Sequence, residues 1–208
     1  FNPEVWQEMI ELGWTGMLIP EKHGGSEIGI GSAIPLVENM GRYLLCTPFI
    51  SSTIAAQTII RGGSESQQSH WLPAMAQGSV GTLALLDNED WGATDSDCIL
   101  IEDQNDFILQ GAKFLIADAE VADFFIVLAK QSDSLVLVIV EASQLPKSAI
   151  DKKILVDETK RAANIDFSGI KVSRNAILPK GAETLPDIRL IGALLIAAEA
   201  TGSAAAAL

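Results

Sequence analysis

The sequence predicts an α+β fold: a helical N-terminal domain, an antiparallel β-barrel or sandwich in the middle, and the start of a C-terminal helical domain. Three observations carry that reading. Up to Gly78 apolar residues recur at helical spacing; from Val80 to Val172 they come in short runs bounded by polar or glycine turns; from Leu185 the helical spacing returns. The corresponding boundaries are 1–78, 79–183 and 184–208.

The helical part reads as four segments. Pro3 to Leu12 places Val5, Trp6, Met9 and Ile10 on one stripe, with Gly13 as the residue just past the end. A glycine-rich loop follows, and Ser32 to Leu45 returns to helical spacing until Thr47-Pro48 breaks it. Ser51 to Arg61 is a third helix, closed by Gly62-Gly63. Ser64 and Gln67 form a capping box that opens a fourth, in which Pro73 is expected to kink or end the regular part.

The β grammar is equally local. Val80–Leu86, Cys98–Glu102, Phe107–Gln110, Lys113–Ile116, Phe124–Ala129, Leu135–Val140 and Ile165–Val172 are rich in β-formers, with no helix between them. That spacing favours antiparallel pairing over βαβ units. The last helix starts at Leu185 or Pro186 and runs into an alanine-rich stretch. It reaches Leu208 with no cap, and the expectation is that more helix follows.

Composition excludes several classes. A formal charge of −13 repels nucleic acid and anionic membrane. Cys46 and Cys98 lack metal spacing and imply no disulfide framework, which suits a reducing cytoplasm. No apolar run is read as membrane-spanning. His23, in a Gly-rich loop, and His70, on a capped surface helix, are expected to be solvated, and no metal site is predicted. Asp87, Glu89, Asp90, Asp95 and Asp97 lack the ligand order of a calcium loop and read as a solvated loop. Trp91 within it stands either exposed to solvent or as the wall of a ligand cleft.

Several short motifs occur in a fixed order. They are Glu11-Leu12-Gly13-Trp14 with Pro20-Glu21 and Gly24-Gly25; Glu38-Asn39-Met40-Gly41-Arg42 with Pro48-Phe49; Trp71-Leu72-Pro73 with Gly78; and Gly111-x-Lys113 with Ala122-Asp123. In order and spacing this set resembles the acyl-CoA dehydrogenases. The resemblance implies an α domain, a β domain and a second α domain, with FAD between the last two. It implies α,β-dehydrogenation of an acyl-CoA thioester: a carboxylate removes the α-proton while the β-hydride passes to the flavin. That carboxylate belongs to the third domain and is not expected within residues 1–208. Coenzyme A is anionic, so its binding here calls for local basic groups or backbone donors. The resemblance also implies a homo- or hetero-oligomer, often a dimer of dimers, and a flavin-linked electron acceptor.

Two segments match the family's flavin-contacting signatures, with departures. In the first, Leu85, Leu86 and Asp87 stand where the family has an apolar residue, a threonine whose hydroxyl meets the flavin, and a glutamate; Thr94 aligns with a serine on the thioester side of the substrate. In the second, Leu115, Ile116 and Ala117 replace the Trp-Ile-Thr of the family pattern. Two hydroxyl donors are therefore absent. Each lost hydrogen bond costs roughly 0.5–1.5 kcal/mol, which weakens flavin binding without forbidding it if backbone amides donate instead. Asp157-x-Thr159-Lys160-Arg161 resembles a branch of the family that works as two-subunit assemblies in steroid side-chain breakdown. The resemblance leaves two functions open: a flavin-dependent acyl-CoA dehydrogenase, or a non-catalytic partner or acyl-CoA-binding scaffold of one.

Overall fold

A computed structural model of the chain describes residues 1–92 and 95–208. Helix α1 (Pro3–Glu11) starts where Asn2 Oδ1 accepts the Glu4 amide and Pro3 supplies a preset φ. It buries Trp6 and Met9 and ends at Gly13, whose φ of +74° is the left-handed conformation expected of that residue. Helices α2 (Ala33–Arg42) and α3 (Phe49–Gly62) follow, and α4 (Glu65–Ala76) opens on the predicted capping box: the Gln67 amide donates to Ser64 Oγ and the Ser64 amide to Gln67 Oε1. Pro73 does not end α4, which runs three residues beyond it.

Among the described residues, nine strands form two sheets. They are β1 (Gly81–Ala84), β2 (Ile99–Asp103), β3 (Asp106–Gln110), β4 (Ala112–Ala117), β5 (Phe124–Gln131), β6 (Ser134–Glu141), β7 (Ile150–Lys153), β8 (Ala162–Asp166) and β9 (Ile170–Val172). Strand β5, apolar and buried for six residues, carries β6 antiparallel along one edge and β1 and then β2 parallel along the other; β3 and β9 extend the sheet. The second sheet is antiparallel, in the order β4-β8-β7. The all-antiparallel expectation thus fails at β1 and β2. The excursion through β2, β3 and β4 separates β1 from β5 and provides the crossover that a parallel pair needs.

Two further differences have local causes. The run read as one strand from Ile165 to Val172 is divided into β8 and β9 by a turn at Gly169, φ +82°. Strand β7 escaped detection because Ile-Asp-Lys-Lys is a polar sheet edge with little apolar patterning.

Helix α5 (Gly181–Ala207) begins four residues before Leu185 and takes Pro186 into its interior. It is also 27 residues long, with mean hydropathy 1.6 over an 18-residue window. The reading that no apolar run has membrane-spanning length is corrected here: by length and composition α5 qualifies. The helix lies against α2 and α3, and its approach to α2 is set by two glycines. A Cβ on Gly41 would fall 1.9 Å from the Glu199 carbonyl oxygen, and one on Gly202 would fall 1.7 Å from that of Glu38. Only glycine on both helices allows backbones this close.

His23 is a correction as well. It is 5 % exposed, not solvated, and its Nε2 is buried without a hydrogen-bond partner among the described residues.

Candidate functional site

Helices α3 and α5 and the adjoining edges of both sheets enclose an apolar cleft with two lobes of about 410 and 450 Å³. Ser51, Ile54, Trp91, Leu115 and Ala117 line both lobes, so the cleft is continuous. The first lobe extends past Thr47, Ile50 and Asp118 to Arg161 and Ile196. The second extends past Leu85 and Leu86 to Ile188 and Arg189.

Two stretches about thirty residues apart in sequence meet here. Leu86 follows β1 and pairs with Phe114 of β4, whose amide donates to the Leu86 carbonyl at 2.7 Å. Thr82 Oγ1 donates to the Ala117 carbonyl at 2.8 Å, which fixes β1 to the far end of β4. A β-bulge then decides which side chains face the cleft. Between Lys113↔Ile165 and Ile116↔Ala163 the two residues Phe114 and Leu115 oppose the single residue Asn164, and the Leu115 amide donates to Asn164 Oδ1. Regular alternation from the inward-facing Lys113 would turn Leu115 and Ala117 into the core. The extra residue, with Leu115 at φ +46°, turns Ile116 inward and leaves Leu115 and Ala117 to the cleft.

Of the residues singled out in the sequence, Leu85, Leu86, Leu115, Ala117 and Trp91 line the cleft. Ile116 is a core residue at 1 % exposure. Asp87 turns away from the cleft to an ion pair with the fully buried Lys113, whose Nζ lies at 2.6 Å. Thr94 lies outside the described residues. Trp91 is 72 % exposed and at the same time lines both lobes. The backbone donors expected at these turns are partly spent, because the Phe114 and Leu115 amides already bond within the fold.

Sequence reasoning missed the polar cluster of the first lobe. Arg161 donates to Asp118 Oδ1 at 2.6 Å, and Ser51 Oγ donates to Asp118 Oδ2 at 2.6 Å. The Asp118 amide donates to the Arg161 carbonyl, holding Asp118 at φ +52°. Arg161 also lies 5.3 Å from the centre of the Phe1 ring and 2.8 Å from Cys46 Sγ. Near it, Arg161 Nε and Thr47 Oγ1 are buried without a hydrogen-bond partner among the described residues. Lys160 pairs with Glu199 of α5. Both carboxylates lining this lobe are therefore committed to cations, a poor state for a proton acceptor. The signal available in sequence was Lys160-Arg161 after Asp157 and Thr159. Two hydrogen bonds from Thr159 depress the Asp157 carboxyl below the usual range and fix that turn.

Behind the cleft, burial pushes the Cys98 thiol up to about 11, despite the Lys113 ammonium near it. At the surface, Lys130 lies 2.6 Å from Asp95, and their hydrogen bond lowers the Asp95 pKa and raises that of Lys130.

Comparison with known proteins agrees with this architecture. The model of the acyl-CoA dehydrogenase N-terminal domain matches residues 1–79. Acryloyl-CoA reductase (NADH) of Anaerotignum propionicum is 30 % identical over 135 residues, 62 % of this chain and 34 % of that protein. Butyryl-CoA dehydrogenase from Megasphaera elsdenii superposes on the whole chain with a TM-score of 0.86 at 25 % identity. Residues 1–79 thus match the N-terminal domain of the acyl-CoA dehydrogenases, and the whole chain shares their fold. It matches about a third of the curated relative's length and covers 59 % of the butyryl-CoA dehydrogenase chain. Within the acyl-CoA dehydrogenase fold, the ChsE4-ChsE5 complex from Mycobacterium tuberculosis is also similar, with a TM-score of 0.82 and 21 % identity over 96 % of this chain and 53 % of that one.

Proposed function

We propose that this chain builds the cleft of a flavin-dependent acyl-CoA dehydrogenase. The observation that carries the reading is the convergence of Leu85-Leu86 and Leu115–Ala117 on one cleft beside Trp91. These are the two segments that resemble the family's flavin signatures. FAD held there would accept the β-hydride of an acyl-CoA thioester and pass the electrons to a flavin-linked acceptor.

The residues present fit the group in part. Leu85, Leu86, Leu115 and Ala117 offer apolar walls to a flat ring and exclude water from it. The side chains at 86 and 117 offer no hydrogen bond, so polar contacts fall to Thr47 Oγ1 and Arg161 Nε, buried and unpartnered among the described residues, and to Arg189 at the second lobe. Arg189 is also a local cation of the kind that an anionic coenzyme A requires on a chain of charge −13. Asp118 and Glu199 serve as counter-ions, and the carboxylate that removes the α-proton comes from outside residues 1–208.

Exposed Leu190, Leu194 and Ile196 on α5 support assembly with further subunits. The two-component ChsE4-ChsE5 complex makes a heteromer a natural form. Free thiols at Cys46 and Cys98 suit a cytoplasmic protein. A second reading, as a non-catalytic partner or acyl-CoA-binding scaffold, is favoured by the apolar side chains at 86 and 117.

Reconstitution decides between them. The protein, alone and with its partner subunit, is loaded with FAD and mixed anaerobically with butyryl-CoA. Retained flavin absorbance that bleaches with substrate is expected. Acyl-CoA binding without flavin supports the scaffold, and binding of neither contradicts both readings.

A further inference from the structure

We propose that Lys113 is a positioning residue for the cleft, its buried ammonium holding Trp91 over the junction of the two lobes. The inference rests on the cleft being the ligand site. The Lys113 side chain has no exposed surface, and its three donors meet three acceptors: Asp87 Oδ1 at 2.6 Å, Ser96 Oγ at 2.9 Å and the Leu85 carbonyl at 3.3 Å. No donor is left over for a ligand. These contacts instead gather both flanks of Trp91, with Leu85 and Asp87 before it and Ser96 after it.

Ser96 is itself anchored, since its Oγ lies 3.1 Å from the Leu128 carbonyl and accepts the Cys98 amide at 3.1 Å. Outside it, Lys130 holds Asp95 at 2.6 Å. Between the flanks, the hydrogen bonds beside Trp91 among the described residues are sequence-local: the Asp90 amide donates to Asn88 Oδ1 and the Gly92 amide to Asp90 Oδ1. With 72 % of Trp91 exposed, little of the residue is packed, and its position over the cleft is inherited from the flanks. Stability alone does not account for the arrangement, because a buried ion pair is often replaced by apolar groups without loss. Apolar residues cannot tie three separate acceptors to one point.

The four tryptophans, at 6, 14, 71 and 91, make a fluorine NMR test self-controlled. With 5-fluorotryptophan incorporated, Lys113→Met is expected to move the Trp91 line toward its position in the unfolded chain and leave the other three in place. Ser96→Ala removes one contact with little change in packing; it is expected to move the line part of the way, and it decides the matter if Lys113→Met does not fold. In the same samples, affinity for FAD or butyryl-CoA is expected to fall about tenfold in Lys113→Met. An unmoved Trp91 line overturns the proposal. So does a moved line with unchanged affinity for both probes, because the placement then serves no recognition. If the wild-type protein binds neither probe, the functional reading of the cleft fails, while the fluorine spectra still decide whether Lys113 holds Trp91.

Discussion

Replacing Gly41 by alanine isolates the contact that sets α5 against the rest of the protein. In a free helix the change would stabilise by about 1 kcal/mol, because glycine is the poorer helix former. Here the new Cβ would stand 1.9 Å from the Glu199 carbonyl oxygen and 3.0 Å from the Glu199 Cα. The obstacle is backbone, so no side-chain rotation relieves it and the helices must separate. Overpacking of this kind costs typically about 1–3 kcal/mol. A backbone clash this short belongs at the upper end of that range, so less the propensity gain the net loss is about 2 kcal/mol, which lowers Tm by roughly 4–8 °C for a chain of this size. Gly192→Ala in α5 is the control: its nearest neighbour is Ile54 Cδ1 at 3.4 Å, so the helix-propensity gain should survive and stability should hold or rise by up to about 1 kcal/mol. Gly202→Ala meets the Glu38 carbonyl at the same crossing, and its combination with Gly41→Ala should cost less than the sum, since one displacement relieves both. Urea unfolding monitored by circular dichroism gives all four values. If Gly41→Ala proves as stable as Gly192→Ala, the close α2–α5 approach is wrong.

Other outcomes follow from the cleft and its surroundings. Asp118→Ala strands the Arg161 guanidinium, which is 16 % exposed; a fully buried unpaired charge costs about 3–5 kcal/mol, so with partial solvation about 2–3 kcal/mol is expected. The apolar double variant Asp118→Leu/Arg161→Met should recover most of that loss in a urea cycle, and failure to do so would contradict the pairing. Iodoacetamide at pH 8 should modify Cys98 about a hundredfold more slowly than an ordinary thiol, because burial raises its pKa by about two units; labelling at the rate of an unfolded control would refute its burial. The same thiol is linked to stability. Its pKa is higher folded than unfolded, so its contribution is complete below pH 9 and is lost as pH rises toward 11. Cys98→Ala should flatten the fall in stability over that window, and an unchanged slope would count against the shift.

Much of the fold was legible because local chemistry and tertiary structure agree. The Ser64–Gln67 box and Gly13 are end signals whose partners lie within a turn, and both sit where the sequence puts them. The parallel pairing of β1 with β5 was not legible, since each strand's pattern records burial but not direction. The cleft was legible at Leu86, Leu115 and Ala117 through resemblance. The face presented by Leu115 and Ala117 depends on a bulge opposite Asn164 that alternation alone would misassign. Lys113 shows the limit most clearly. A lysine within an apolar run reads as an exposed position, and only the assembled fold supplies the three acceptors that allow its burial. His23 shows a related limit: the residues around it are polar and glycine-rich, yet it is 5 % exposed in the assembled fold.

On the proposed reading, the segments around Leu86 and Ala117 form one flavin-binding cleft. Amide chemical shifts recorded during an FAD titration test it most directly. Saturable shifts concentrated at residues 85–87 and 114–118 and at the Trp91 indole are expected, with helix α1 silent. Absent shifts, or shifts scattered away from the cleft, would contradict it.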